Sequence, residues 1–177
     1  MARVKVVSRT TIYEGRVIRL VREVLAVRNQ QIVRETIHHP GAVVIVPMLD
    51  RSRVIFVRQY RRAIDRELLE LPAGTRERGE RREVCARREL QEETGWRAAR
   101  LRQIGQFYAA PGFISEQLTI FLAQGLTKVQ ASPEPDELVR PVVLSLRMAL
   151  AKIRSGAICD GKSIIGILFA QRVLRNS

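Results

Sequence analysis

The chain has 177 residues, 46% hydrophobic and 28% charged, a size and balance that suit one folded domain and exclude a disordered chain. Its 31 basic residues against 18 acidic give +13, and 27 of the 31 are Arg, which favours anionic partners: nucleic acid, acidic membrane surfaces or phosphorylated small molecules. The longest apolar runs, 42–49 and 164–170, fall short of the roughly 18 residues needed to span a bilayer, so no transmembrane helix is expected.

Elements follow from periodicity and punctuation. Val17, Ile18, Leu20, Val21, Val24, Leu25 and Val27 alternate with Arg and Glu, a turn falls at Asn29–Gln30, and Gln31–His38 returns, so residues 11–38 read as one long hairpin. Ala42–Met48 and Val54–Tyr60 read as buried central strands flanking Asp50, Arg51 and Ser52, and Leu68–Leu71 as a short strand stopped by Pro72. Residues 79–94 form a helix closed by Gly95. Further strands are expected at Arg100–Tyr108, Gln117–Ala123 and Val139–Leu144, with the acidic, Pro-rich Ser132–Glu137 as a loop. Ser145 caps a helix to about Arg154 that Gly156 ends, and a last helix spans Lys162–Arg175. The order gives an α+β fold with a mixed sheet and an N-terminal antiparallel arm. One domain over 1–177 is expected, with arm 1–40 and core 41–177.

Two cysteines, Cys85 and Cys159, are too few for a disulfide framework or a four-ligand zinc site. The start, Met1–Arg9, lacks the apolar segment of about 7–15 residues that marks a secretory signal, so a cytoplasmic protein is expected. Cys85 reads as packing, His38 and His39 as turn or strand packing, and the sparse Tyr60, Phe107, Tyr108 and Phe113 as core or pocket lining rather than an RNA-stacking platform.

Chemistry concentrates in 74–96. Glu89, Glu92 and Glu93 stand at i, i+3 and i+4 of the helix, three carboxylates on one face. Like charges so close want a compensating cation, and carboxylate oxygens are hard ligands suited to Mg²⁺ or Mn²⁺. Arg88, at i,i+4 from Glu92, is placed to orient a carboxylate. Glu80 lies nine positions before Glu89, about half a rotation away, which argues against its being a close ligand. Gly74 and Gly79 bracket a loop where backbone can approach a metal. A salt-bridged, solvated face is the competing reading of any three glutamates on a helix.

The pattern Gly74, Glu80, Arg88, Glu89, Leu90, Glu92, Glu93, Gly95, Trp96 resembles the Nudix box of the Nudix hydrolases, Trp96 being bulkier than the aliphatic residue usual there. Pro111, sixteen residues after Gly95 in the run Tyr108–Glu116, resembles the mark of the family's ADP-ribose pyrophosphatase branch, as do 57–61, 68–74 and 39–42. The likeness covers most of 10–146. It implies a Nudix-type α/β/α sandwich. It also implies that the Ala73 carbonyl, Glu89 and Glu93 hold a divalent metal, Mg²⁺ or another dication, with Glu92 a ligand or a bridge to metal-bound water. Arg61 would contact the pyrophosphate, with Arg58 and Glu70 as weaker candidates. Pro111, Gly112 and Phe113 would wall the sugar side, Arg88 and Glu80 would orient, and a loop acid would act as base, Glu137 before Glu134 and Asp136.

The implied reaction is Mg²⁺-dependent hydrolysis of ADP-ribose to AMP and ribose 5-phosphate. Another nucleoside diphosphate sugar, such as ADP-glucose or GDP-mannose, is the close alternative. A non-catalytic nucleic-acid module ranks lower because every box glutamate is kept. The likeness further implies a homodimer through the N-terminal strands, with no membrane partner.

Overall fold

The computed structural model describes residues 4–131 and 139–175, and the expected base loop, Ser132–Glu137, lies outside them. The chain divides into two compact units, Met1–Gly41 with Phe107–Gln117, and Ala42–Gln106 with Leu118–Ser177. The arm boundary falls at 41, next to the expected 40, but 107–117 groups with the arm rather than with the core.

In the first unit the expected hairpin is a three-stranded antiparallel sheet, β1 (Lys5–Glu14), β2 (Arg19–Val27) and β3 (Gln30–His38), in the order β1-β2-β3. Residues 11–14 belong to an earlier strand because the chain bends at 15–18, where the Gly15 amide donates to the Ile18 carbonyl at 2.9 Å. The β2–β3 turn falls at Arg28–Asn29, one residue earlier than expected, with Arg28 at φ 55°. The 107–117 segment docks on β3: the Ile37 amide donates to the Phe113 carbonyl at 2.8 Å and the Ser115 amide to the Ile37 carbonyl at 2.9 Å. His39 also packs there, its Nδ1 accepting from the Gly41 amide and its own amide donating to Ser115 Oγ, each at 3.0 Å.

The second unit contains two sheets. β4 (Ala42–Pro47), β7 (Ala73–Thr75), β8 (Trp96–Tyr108) and β9 (Gln117–Lys128) form a mixed sheet in the order β7-β4-β9-β8, with β4 and β9 parallel and β4 and β7 antiparallel. β5 (Arg53–Arg61), β6 (Arg66–Glu70) and β10 (Val139–Ser145) form an antiparallel sheet in the order β10-β5-β6. The helices are α1 (Arg82–Thr94), α2 (Leu146–Arg154) and α3 (Gly161–Arg175). β4 lies at the centre. Its odd residues Val43 and Ile45 pack with Cys85, Ala86 and Leu90 of α1 and with Ala98, Phe121 and Ala123. Its even residues Val44 and Val46, with Leu71, lie against Gly166 of α3, so the strand is sandwiched between two helices, as an α/β/α architecture requires. Such burial contributes about 1.5–3 kcal/mol per large aliphatic side chain.

Boundaries shift for local reasons. α1 starts at Arg82 rather than 79 because the preceding residues form a turn: Glu80 Oε2 accepts from the Glu77 amide at 3.0 Å and the Glu80 carbonyl accepts from the Arg76 guanidinium at 2.7 Å. Gly95 closes α1 in the left-handed region at φ 71°, and the chain passes at once into β8, which therefore begins at Trp96 rather than 100. β6 spans Arg66–Glu70 rather than 68–71, β9 continues to Lys128, and β7 has no counterpart among the expected strands. Ser145 caps α2 as expected, its Oγ accepting from the Met148 amide at 3.1 Å.

Candidate active site

The carboxylates of α1 are organised by one cation. Arg88 Nη1 lies 2.8 Å from Glu89 Oε1 and 2.9 Å from Glu92 Oε2, while its Nε and Nη2 reach the two oxygens of Glu80 at 3.1 and 3.2 Å. The repulsion expected among the glutamates is thus relieved by a residue of the same helix. The fork to Glu80 holds the guanidinium protonated, helped by Glu89 and Glu92. Burial opposes ionisation of Glu80, yet Arg88 and the Glu77 amide outweigh it and hold that carboxyl below the usual carboxylate range.

The loop before α1 completes the ridge. Glu89 and Glu93 are 5% and 2% exposed, and Glu93 Oε2 accepts from the Ala73 amide at 3.2 Å. Gly74 fits because a Cβ there would stand 1.9 Å from the carboxylate of Glu89: the missing side chain is the space the carboxylate fills. Pairing of β7 with β4, Val43 opposite Gly74 and Val44 opposite Ala73, fixes this backbone against the core. Cys85 sits below, its thiol pushed up by burial and by Glu80 and Glu89, which agrees with packing rather than ligation.

A second ionic cluster lies at the end of β5. Glu70, 1% exposed, accepts a side-on pair of hydrogen bonds from Arg61, Nε to Oε1 at 2.8 Å and Nη2 to Oε2 at 2.6 Å. Lys162 of α3 donates to the same Oε2 and pairs with Asp160 at 3.0 Å. Asp160 in turn accepts from the Ser163 amide at 3.0 Å and from its hydroxyl at 2.5 Å, and Ser163 Oγ accepts from the Leu71 amide at 2.7 Å. Glu70 keeps Arg61 firmly protonated, with Glu93 and Asp160 adding to the field. Burial disfavours the charged form of Glu70, but Arg61 and Lys162 outweigh it and leave the carboxyl below its ordinary value.

The architecture agrees with what known proteins show. A model of the NUDIX domain matches residues 38–159. The chain is 36% identical over 170 residues, 94% of its length and 92% of the relative's, to an ADP-ribose pyrophosphatase of Bacillus subtilis. It is 35% identical, with the same coverage, to a methanol dehydrogenase activator of Bacillus methanolicus. An ADP compounds hydrolase of known structure superposes with a TM-score of 0.87 at 22% identity, covering 98% of this chain and 95% of the other, a likeness of fold. The chain belongs to the Nudix family.

Nudix hydrolases generally use divalent cations. The donor set suits one: buried, hard carboxylate oxygens on Glu89 and Glu93 beside the Ala73–Gly74 backbone, in a cradle a Cβ would fill. Among the described residues no three His, Cys, Asp or Glu side chains converge into a ready-made cage, since Arg88 draws Glu89 and Glu92 to itself.

The remaining Nudix candidates divide. Glu80 and Arg88 stand together with the ridge. Arg61 and Glu70 meet each other. Arg58 is three residues from Arg61 on β5 and so on the opposite face, where it pairs with Glu67 at 3.2 Å and shares it with Arg140. Pro111, Gly112 and Phe113 form an exposed turn of the first unit, pinned by the Phe113 amide on the Ala110 carbonyl at 3.1 Å. Glu134, Asp136 and Glu137 lie outside the described residues. Lys162 and Asp160 were not singled out from the sequence; Glu70, the partner of Lys162, is 92 positions away, and only the fold reveals the pairing.

Proposed function

We propose that this Nudix protein is a Mg²⁺-dependent pyrophosphatase that splits ADP-ribose into AMP and ribose 5-phosphate. The observation that carries the reading is the ridge of Glu89, Glu92 and Glu93, held by Arg88 over the side-chain-free surface of Gly74. The Bacillus subtilis ADP-ribose pyrophosphatase, alike over nearly the whole chain, supports the choice of substrate. Glu89, Glu93 and the Ala73 carbonyl would hold the dication, with Glu92 as a further ligand or a bridge to its water. The ion supplies charge neutralisation of the diphosphate and a lowered pKa for attacking water. Arg61, fixed by Glu70, offers its guanidinium to the phosphate oxygens, and an acid of the 132–137 loop, Glu137 first, takes the proton.

The reading includes a homodimer through the N-terminal strands. Every residue of β1 is exposed, including Val6, Val7, Ile12 and Tyr13, and its outer edge has no partner strand among the described residues. Cys85 and Cys159 are both free thiols, which suits a reducing compartment, and the reading places the enzyme in the cytoplasm. No helix of the described residues is long and apolar enough to cross a membrane.

The deciding experiment is a panel of ADP-ribose, ADP-glucose and GDP-mannose assayed with and without Mg²⁺, beside the Glu93→Gln variant. The expected result is highest kcat/KM on ADP-ribose, loss of turnover on chelation, and a fall of about 10²–10⁴-fold in kcat for Glu93→Gln with an unchanged circular dichroism spectrum. Greater kcat/KM on another nucleotide sugar would reassign the substrate, and full turnover by Glu93→Gln would remove that residue from the site.

A further inference from the structure

The cluster at the start of α3 has a division of labour that the box motif does not contain. A carboxylate as buried as Glu70 is costly unless its lone pairs are filled and its charge matched. Arg61 alone fills one site on each oxygen, through the Nε–Nη2 edge. Lys162 takes a second site on Oε2, and Asp160 fixes Lys162 from the other side. Ser163 ties the same Asp160 to the Leu71 amide, next to Glu70 in the chain, so both ends of the arrangement are anchored to one stretch of backbone. Arg61 keeps 38% of its side chain exposed, and its Nη1 has no hydrogen-bond partner among the described residues.

We infer that Lys162 is a positioning residue: by clamping Oε2 of Glu70 it fixes the side-on pair with Arg61, so that Nη1 is presented in one orientation to a substrate phosphate. The inference rests on the proposed pyrophosphatase reading. Without Lys162 the second site on Oε2 is empty and the buried carboxylate keeps Arg61 as its one remaining cation, so the side-on pair is no longer braced and Nη1 is no longer held in one orientation. Arg in place of Lys162 keeps both the charge and a donor.

The test compares Lys162→Met, Lys162→Arg and Arg61→Ala with the double variant Arg61→Ala/Lys162→Met. Lys162→Met is expected to raise KM for ADP-ribose about tenfold with kcat within threefold of wild type, and to weaken ADP-ribose binding by a similar factor in calorimetry under chelator. Lys162→Arg is expected to restore KM to within twofold. In the Arg61→Ala background, Lys162→Met should change KM less than twofold, because the residue it acts through is gone. An unaltered KM in Lys162→Met, or an equal tenfold effect in the Arg61→Ala background, would overturn the inference. Where Lys162→Met does not fold, Glu70→Gln is compared with Glu70→Gln/Lys162→Met: equal KM values support the inference and a further rise overturns it. A wild-type enzyme that turns over no nucleotide sugar defeats the pyrophosphatase reading itself, whereas an active wild type with an indifferent Lys162 defeats this inference alone.

Discussion

Gly74 shows how one absent side chain organises a site. In sequence the position reads as one where backbone can approach a metal; its φ is unexceptional and its value is space, since the carboxylate of Glu89 occupies the place of a Cβ. Gly74→Ala should therefore push Glu89 off its contact with Arg88, cost about 1–3 kcal/mol through overpacking, and lower kcat/KM by at least tenfold. Urea unfolding and steady-state kinetics on the same preparation check both numbers, and a variant with wild-type kcat/KM would show that the Glu89 position is not critical. The ridge was legible in the sequence because its members are helical neighbours, where spacing alone places side chains. The Arg61–Glu70–Lys162 group was only half legible. Arg61 and Glu70 were identified by resemblance, but their mutual bond depends on strand register, Val57 opposite Glu70 and Arg61 opposite Arg66. Lys162 depends on the tertiary placement of a helix.

Among the elements, α2 has a start set by one side chain. Its first turn contains no acidic residue, so the Ser145 hydroxyl on the Met148 amide is the device that satisfies an orphan donor there. Ser145→Ala should destabilise the protein by about 1 kcal/mol and leave KM unchanged, a difference read from denaturant midpoints and initial rates. A loss below about 0.3 kcal/mol would mean that water replaces the cap. Strands with alternating or continuous apolar residues were readable, β4 and β5 above all. β7 was not, because Ala73 and Gly74 are strand-poor, three residues are too few to show an alternation, and the segment pairs along the edge that β4 offers. β1 was partly missed for the opposite reason: its exposed alternation continues into a bend that looks, by composition, like more strand.

At the scale of the whole molecule, the high positive charge is compatible with a small anionic substrate and does not require nucleic acid. The exposed apolar residues of β1 carry the assembly prediction. Static light scattering at micromolar concentration should give twice the chain mass, and Ile12→Lys with Val6→Lys on the outer strand should shift the population toward monomer. A wild-type monomer across that range would contradict the dimer. Periodicity and punctuation made the fold class and the order of elements legible, and the grouping of 107–117 with the arm escaped them because sequence distance hides that contact. The burial of β4 has one more consequence. A strand with a helix on each face and a neighbour on each side has no partial route to water, so the amide protons of Val43 to Val46 escape only when the second unit opens completely. Their solvent exchange rates are thus a direct gauge of that unit's global stability, while the outermost N-terminal strand reports local fraying.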